Sequence, residues 1–363
     1  MSTLKVDTIQ NSVGENLVFE NKNLLINGQM AIFQRATSAT GKTTGAYYTA
    51  DRWQTSITTA GTWTQERSTD VPSAQGFGYS LKMDCTTADA SLGASDVLAI
   101  NQRLEGQNLQ HLLKGTSSAK KLTLSFWVKS NKTGTYIAEL VDNDNTRQIS
   151  KSYTIDSADT WEKKEITYEG DTTGTLDNDN DHSLRVIFWL AAGSNFTSGT
   201  LNTSWASTTN ANRVVGQVNL ADSTSNEWYM TGCQLEVGSK ATDFEFEPYD
   251  KILSRCYRYY NMYKTEIAGR RCGVAVGDNS TSAVASFTFP TAMRDSPSIT
   301  ENNMVLRNSG TNYTISSVTA SQPDLKDRNY ISFGCNSTGL TSSRTYAIRF
   351  NASDSTLEFD SEL

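Results

Sequence analysis

Between residues 121 and 237 the chain repeats one local pattern: a short run of alternating apolar and polar residues, closed by Gly, Asn or Asp. In KLTLSFWVKS (121–130), Leu122, Leu124, Phe126 and Val128 fall on one side, and Thr123, Ser125 and Trp127 on the other. Period-two alternation buries one face of a pleated strand, whereas a helix would smear it around its circumference. GTYIAELVDNDN (134–145) reads as a strand running into an acidic turn, and WEKKEITYEG (161–170) as an amphipathic strand. LRVIFWLAA (184–192) is apolar on both faces, as a central strand requires, and NEWYMTGCQLEV (226–237) closes the series. So many strands, divided by turns, predict an all-β chain built as a sandwich or jelly roll. NLQHLLKG (108–115) is a lone helical candidate among them.

Composition narrows the class further. The 363 residues suggest two or three domains, and a mean hydropathy of -0.47 leaves only a thin core. Charged residues make up 20%, too few for general disorder. The net charge of -7, without a Lys/Arg stripe, argues against a nucleic-acid partner. The longest apolar run, Val186 to Ala192, is too short to span a bilayer, so no membrane insertion is expected. The start, MSTLKVDTIQNSVGEN, shows no secretory signal. Five scattered cysteines without a Cys-x-x-Cys pair fit folding in a reducing cytoplasm, with the thiols buried as small hydrophobes.

The pattern changes after Pro248. In YDKILSRCYRYY (249–260), Ile252, Cys256 and Tyr260 recur at helical spacing, flanked by Leu253 and Tyr257, with Asp250 placed as N-cap. Beyond it strands return in SAVASFTFP, RNYISFGC and RTYAIRF. The expected organisation is a short segment at 1–24, a β domain at 25–248, a connecting helix at 249–264 and a smaller β domain at 265–363. Ile252, Tyr257, Tyr259 and Tyr260 would pack at the joint, between domains or between subunits.

Several pieces resemble the stations of bacteriophage tail-fibre and related virion proteins: NLLINGQMAIFQR (23–35), YTADRW (48–53), LTLSFWVKS (122–130), TGCQLEVGSKATDFE (231–245) and RCYRYY (255–260). FTFPTAMRDSP (287–297) is similar to the opening of the β domain that often follows them. LTLSFWVKS is also similar to the β-sandwich carbohydrate-binding modules of polysaccharide-degrading enzymes. The resemblance implies a jelly-roll module on a virion tail, homotrimeric, bound to other tail proteins through residues 1–24 and contacting a host-surface glycan. A head fibre or tail adaptor without glycan binding is the alternative, and a polysaccharide depolymerase a more remote one.

A sugar-binding surface needs a flat ring for the C–H face of a pyranose, with polar groups around it. Trp205 stands in the long polar loop NFTSGTLNTSWASTTNANR, where nothing else in the sequence demands a large ring. Phe196 shares the loop, and Asn202 or Asn210 could supply hydrogen bonds; the bland alternative is that Trp205 anchors the loop. Trp63 and Tyr47, with Tyr48, are further sugar-contact candidates. Trp53, Trp127 and Trp189 are expected in the core, and Trp161 and Trp228 fit either role. Asp177, Asp179 and Asp181 alternate in LDNDNDH and could offer several oxygens to a structural Ca²⁺, the alternative being a solvated turn. The two histidines, His111 and His182, sit in no nucleophile or metal motif, and no catalytic signature occurs, so the expectation is a binding protein and not an enzyme.

Overall fold

The strands predicted from alternation form two stacked layers around one apolar core in the computed structural model, which describes residues 22–320 and 329–363. The expected virion-attachment segment 1–24 lies almost wholly outside the described residues. The first domain comprises β1 (Ser38–Tyr47), β2 (Gln54–Ser68), β3 (Ser80–Thr87), β4 (Val97–Glu105), β5 (Leu122–Ser130), β6 (Gly134–Asp142), β7 (Arg147–Ile155), β8 (Glu162–Tyr168), β9 (His182–Ala192), the short helix α1 (Ser194–Thr197), the two-residue β10 (Ala206–Ser207) and β11 (Glu227–Val237). Pairing is antiparallel and follows the path β10-β7-β6-β9-β4-β2-β3-β11-β5-β8, with β1 beside β2.

This path folds back on itself through β2. Its first half pairs with β4 and its second half with β3, and the bend falls near Gly61, whose φ of +76° suits a residue without Cβ. The first layer is therefore β7-β6-β9-β4 with the start of β2, and the second is the end of β2 with β3-β11-β5-β8. Their inner faces meet through Phe126 of β5, whose ring centre lies 4.9 Å from Phe188 of β9 and 5.0 Å from Tyr153 of β7. Leu122, Leu124, Phe126 and Val128 all point into this core, as their alternation predicts. The architecture is an all-β, jelly-roll-like sandwich. Residues 108–115 form no α-helix: tight turns at Gly106–Asn108 and Gln110–Leu112 end at Leu113 in a left-handed conformation.

The helix after Pro248, α2, covers Tyr249–Tyr257 and stops there, shorter than the 249–264 expected. Pro248 occupies the N-cap without a side-chain bond, and Asp250 lies in the first turn, where its charge favours the helix dipole. Tyr260–Lys264 is a strand, β12, because it pairs with Thr356–Asp360; Tyr260 is buried at the joint, and Tyr263 packs on Phe287 and Phe359 of the C-terminal core. The remaining strands are β13 (Arg271–Gly277), β14 (Ser282–Thr288), β15 (Ser298–Asn302), β16 (Met304–Asn308), β17 (Thr311–Thr314), β18 (Ser317–Ala320), β19 (Tyr330–Asn336), β20 (Thr345–Phe350) and β21 (Thr356–Asp360). They make a three-stranded sheet, β12-β21-β15, and a seven-stranded one, β17-β16-β20-β13-β14-β19-β18, around Phe287, Phe333 and Phe359. Ile252 and Cys256 turn inward from α2 onto Ile32. All five cysteines are free, four of them buried.

Candidate functional site

A sandwich leaves two outer faces, and the register decides which side chains they carry. On the first layer, Ala99, Trp189 and Ile137 form one row across β4, β9 and β6, and Asn101, Ile187, Glu139 and Ser150 form the next. Residues 193–219 run as a strap over this face. Phe196 packs on Trp189 at 5.7 Å, and Val214 and Leu201 complete an apolar seal over Ile137 and Ile187. The strap is locked by Glu139, which is wholly buried: Arg213 donates to both of its oxygens at 2.9 Å, and Trp189 Nε1 adds a bond of 2.8 Å.

The loop residues singled out from sequence therefore hold the strap down. Trp205 is half-buried against the main core, its Nε1 donating to the Glu169 carbonyl at 2.8 Å, with the Lys114 ammonium 5.2 Å from its ring centre. Its surroundings are those of an anchor. Asn202 accepts at its carbonyl from Ser150 N at 2.7 Å and lends its side-chain oxygen to Asn212. Asn210 is exposed at the strap's edge. Trp63 is completely buried and donates to the Ala60 carbonyl, so it is a core residue and no sugar contact. Tyr47 is half-buried, its hydroxyl donating to the Leu363 main-chain oxygen at 3.3 Å, while Tyr48 closes its own turn on Thr44.

The acidic turn does not converge on an ion. Asp179 accepts from the Asp181 amide at 3.0 Å, Asp181 faces Arg294 at 3.3 Å, and the Asp177 amide binds Asp144 at 2.9 Å. Among the described residues no group of three or more His, Cys, Asp or Glu side chains is placed to hold a metal. Asp177, Asp179 and Asp181 do not fit the calcium reading. A cleft of about 630 Å³ lies between the end of β4 and α2, but its buried carboxylate, Glu105, is already taken by Arg258, Tyr259 and Gln107.

The second layer's outer face is different. Here β11 lies between β3 and β5, so Tyr229 stands between Lys82 and Lys129, and Trp127 lies opposite Thr231. Trp161, half-exposed just before β8, meets the Tyr229 ring edge-on at 6.2 Å and 67°. Lys129 bridges them, 4.3 Å from the Tyr229 ring centre and 5.9 Å from that of Trp161. Asp70 binds both Lys129 and the Trp161 Nε1, the latter at 2.8 Å. Partial burial pushes the Asp70 carboxyl up, but the bonds from Lys129 and Trp161 outweigh it and hold it below the usual range. On the far side Lys82 pairs with Glu227 at 2.7 Å, and Glu227 takes the Tyr229 hydroxyl.

No protein-family model matches the chain. No curated protein matches it either. Among solved structures it is similar to the enzymatically active domain of bacteriophage CBA120 tailspike protein 4, at 12% identity and a TM-score of 0.31, over 60% of this chain and 22% of that one. It thus spans about a fifth of the tailspike domain's length. It is also similar to the family 11 carbohydrate-binding module of a Clostridium thermocellum cellulosomal cellulase, at 14% identity and a TM-score of 0.29, over 55% of this chain and 96% of the module. Likenesses this distant bear on neither ligand nor assembly.

Sequence reasoning missed the Trp161–Tyr229 pair. It placed Trp127 in the core, yet parity alone sets it on the face opposite Phe126, where the structure leaves it half-buried. Trp161 gave no periodic signal because it precedes its strand. The partnership with Tyr229 joins residues 68 positions apart and is visible only in the fold.

Proposed function

We propose that the chain is a subunit of a bacteriophage tail fibre that binds a host-surface glycan on the outer face of its second layer. The observation that carries this is half-exposed Trp161 set edge-on to the largely buried Tyr229 ring, with Lys129 buried between them and Lys82 and Asp70 at the margin. An indole face offers the apolar side of a pyranose a flat partner, while the ammonium and carboxylate groups beside it suit hydroxyls. The ordered sequence stations that resemble phage fibres support the virion role. A trimer would multiply weak single-site contacts into useful avidity. The activity is binding, with the glycan left unaltered. A purely structural virion protein is the second reading, favoured by the strap that seals the apolar part of the first layer's outer face.

The test is binding of labelled protein to susceptible cells. Saturable binding that blocks infection, weakened about tenfold by Trp161→Ala as the loss of one aromatic contact would require, supports the reading. Binding indifferent to Trp161→Ala removes the Trp161–Tyr229 pair as the site. No binding to any susceptible host favours the structural reading.

A further inference from the structure

The strap covers only the apolar part of the first layer's outer face. One row along, Arg103 of β4 stands opposite Arg185 of β9, and the row continues through Val141 of β6 to Gln148 of β7. Like charges placed directly opposite on antiparallel strands repel, so this pairing needs compensation. Arg213 is committed to Glu139. Arg103 gives one Nη to the Leu363 main-chain oxygen, and its Nε is buried without a partner. The Arg185 side chain makes no hydrogen bond or ion pair among the described residues, and its Nε is buried and unpartnered. Burial, then Arg213 and Arg103, lowers its pKa to about 10; Glu139 pulls the other way. On the same face, Gln148 is wholly buried with neither amide atom bonded, and the Ser150 hydroxyl is likewise unpartnered. Gln148 lies two strands from Arg185, about 10 Å at ordinary strand spacing.

Arg213 is neutralised by Glu139 and Arg103 is bound to the Leu363 main-chain oxygen, so Arg185 is the guanidinium of this group left without a hydrogen-bonded partner among the described residues. A buried charge persists at low cost only when something pairs with it. Arg185 is only partly enclosed, so the residue keeps some contact with solvent. A guanidinium matches a planar carboxylate with two parallel bonds.

We propose that Arg185, assisted by Arg103, forms an anion site on the outer face of the first layer that takes the carboxylate of an acidic sugar. The choice of a sugar as carrier rests on the glycan-binding reading; the anion site does not.

The experiment compares an oligogalacturonate, its methyl-esterified counterpart and inorganic phosphate by calorimetric titration. The proteins are the full chain, Arg185→Gln, Arg185→Lys and Trp161→Ala. The expected result is that wild type binds the oligogalacturonate at least about tenfold tighter than the ester. Arg185→Gln abolishes that preference, Arg185→Lys weakens it, and Trp161→Ala leaves the preference intact even where total affinity falls. Equal binding of acid and ester, or an Arg185→Gln protein that keeps the preference, overturns the proposal. Arg185-dependent binding of phosphate without the oligogalacturonate overturns the acidic-sugar assignment. Loss of all binding in Trp161→Ala alone, with Arg185→Gln unaffected, sinks this site while sparing the Trp161–Tyr229 pair. A melting scan guards against misfolding: without added anion, Arg185→Gln should melt no lower than wild type, because the substitution removes a repulsion.

Discussion

The Arg52 guanidinium lies 3.4 Å from the centre of the Tyr259 ring, and both side chains are almost completely buried. Arg52 also pairs with Glu362 and donates to the Arg103 carbonyl at 2.8 Å, while the Tyr259 hydroxyl binds Glu105. One residue later, the Arg35 guanidinium lies 3.5 Å from the Tyr260 ring and pairs with Asp360. Sandwich, helix and C-terminal domain are thus clasped within one chain. Tyr259 and Tyr260 are buried without any second subunit, whereas Tyr257 is only half-buried. Tyr259→Phe should cost about 2 kcal/mol, the loss of a hydrogen bond to a buried carboxylate. Tyr259→Ala should cost about 4 kcal/mol, adding the cavity and the cation–π contact. Denaturant melts give the two values; equal costs would mean that the ring contributes nothing.

The same clasp explains why parts of this fold were legible. Residues 23–35, 48–53, 231–245 and 255–260 stand out in the sequence as separate stations, and in the structure they touch. Asn27 binds the Asp51 carbonyl, Gln34 binds both Asp51 and the Tyr260 carbonyl, and Asn23 binds the Cys233 carbonyl. Alternation located the strands and the face of Phe126 because one-sided burial leaves a period-two imprint. It could not place the proposed site, since Trp161, Tyr229 and Asp70 come from three distant segments. Nor could it see the strap's purpose: Trp205 in a polar loop reads the same whether it faces solvent or Glu169.

Gly28 packs directly against the backbone of β11. A Cβ there would come within 2.0 Å of the Cys233 carbonyl oxygen, which is backbone and cannot turn aside. The Cys233 amide donates to the Gly28 carbonyl at 2.9 Å, so the two segments cannot part without losing that bond. Gly28→Ala should destabilise the first domain by about 3 kcal/mol, in the range of overpacked cores. Gly41→Ala, with no atom within 4 Å but a φ of +67°, should cost about 1 kcal/mol from backbone strain alone. Similar losses for both would refute the close-approach argument.

The strap lock makes a second contrast. Arg213→Ala leaves the Glu139 carboxylate wholly buried with the Trp189 indole as its only side-chain hydrogen-bond donor among the described residues. Uncompensated burial of that kind costs about 3 kcal/mol or more. Arg213→Ala together with Glu139→Leu removes the stranded charge and should recover part of the loss. Limited proteolysis is the local readout: cleavage between residues 198 and 212 should accelerate in the single variant and slow again in the double. Unchanged cleavage in both would show that the strap is held by its apolar contacts alone.

Acid should weaken the protein in two stages. His182, largely buried beside Arg103, Arg185 and Arg52, has its pKa lowered to about 3, first by burial and then by those charges. In the unfolded chain it takes up a proton below about 6.5. Between those values the unfolded state holds the extra proton, so stability falls as the pH falls, by up to about 1.4 kcal/mol per pH unit. Glu105 adds a second stage. Burial raises its pKa, but the bonds from Arg258 and Tyr259 outweigh that and hold it below 4.5. Its contribution is complete above its unfolded value and is lost as the pH drops through the folded one. Asp51 works in the opposite sense: burial raises its pKa despite Arg35 and Gln34, so its stabilisation fades as the pH rises. His182→Gln leaves both carboxylates in place, so the difference between variant and wild type isolates the histidine. Denaturant melts at pH 7, 5.5 and 4.5 should show the variant gaining on wild type at each step down. A constant difference would mean that His182 becomes protonated in the folded protein, and the burial argument for it would fail.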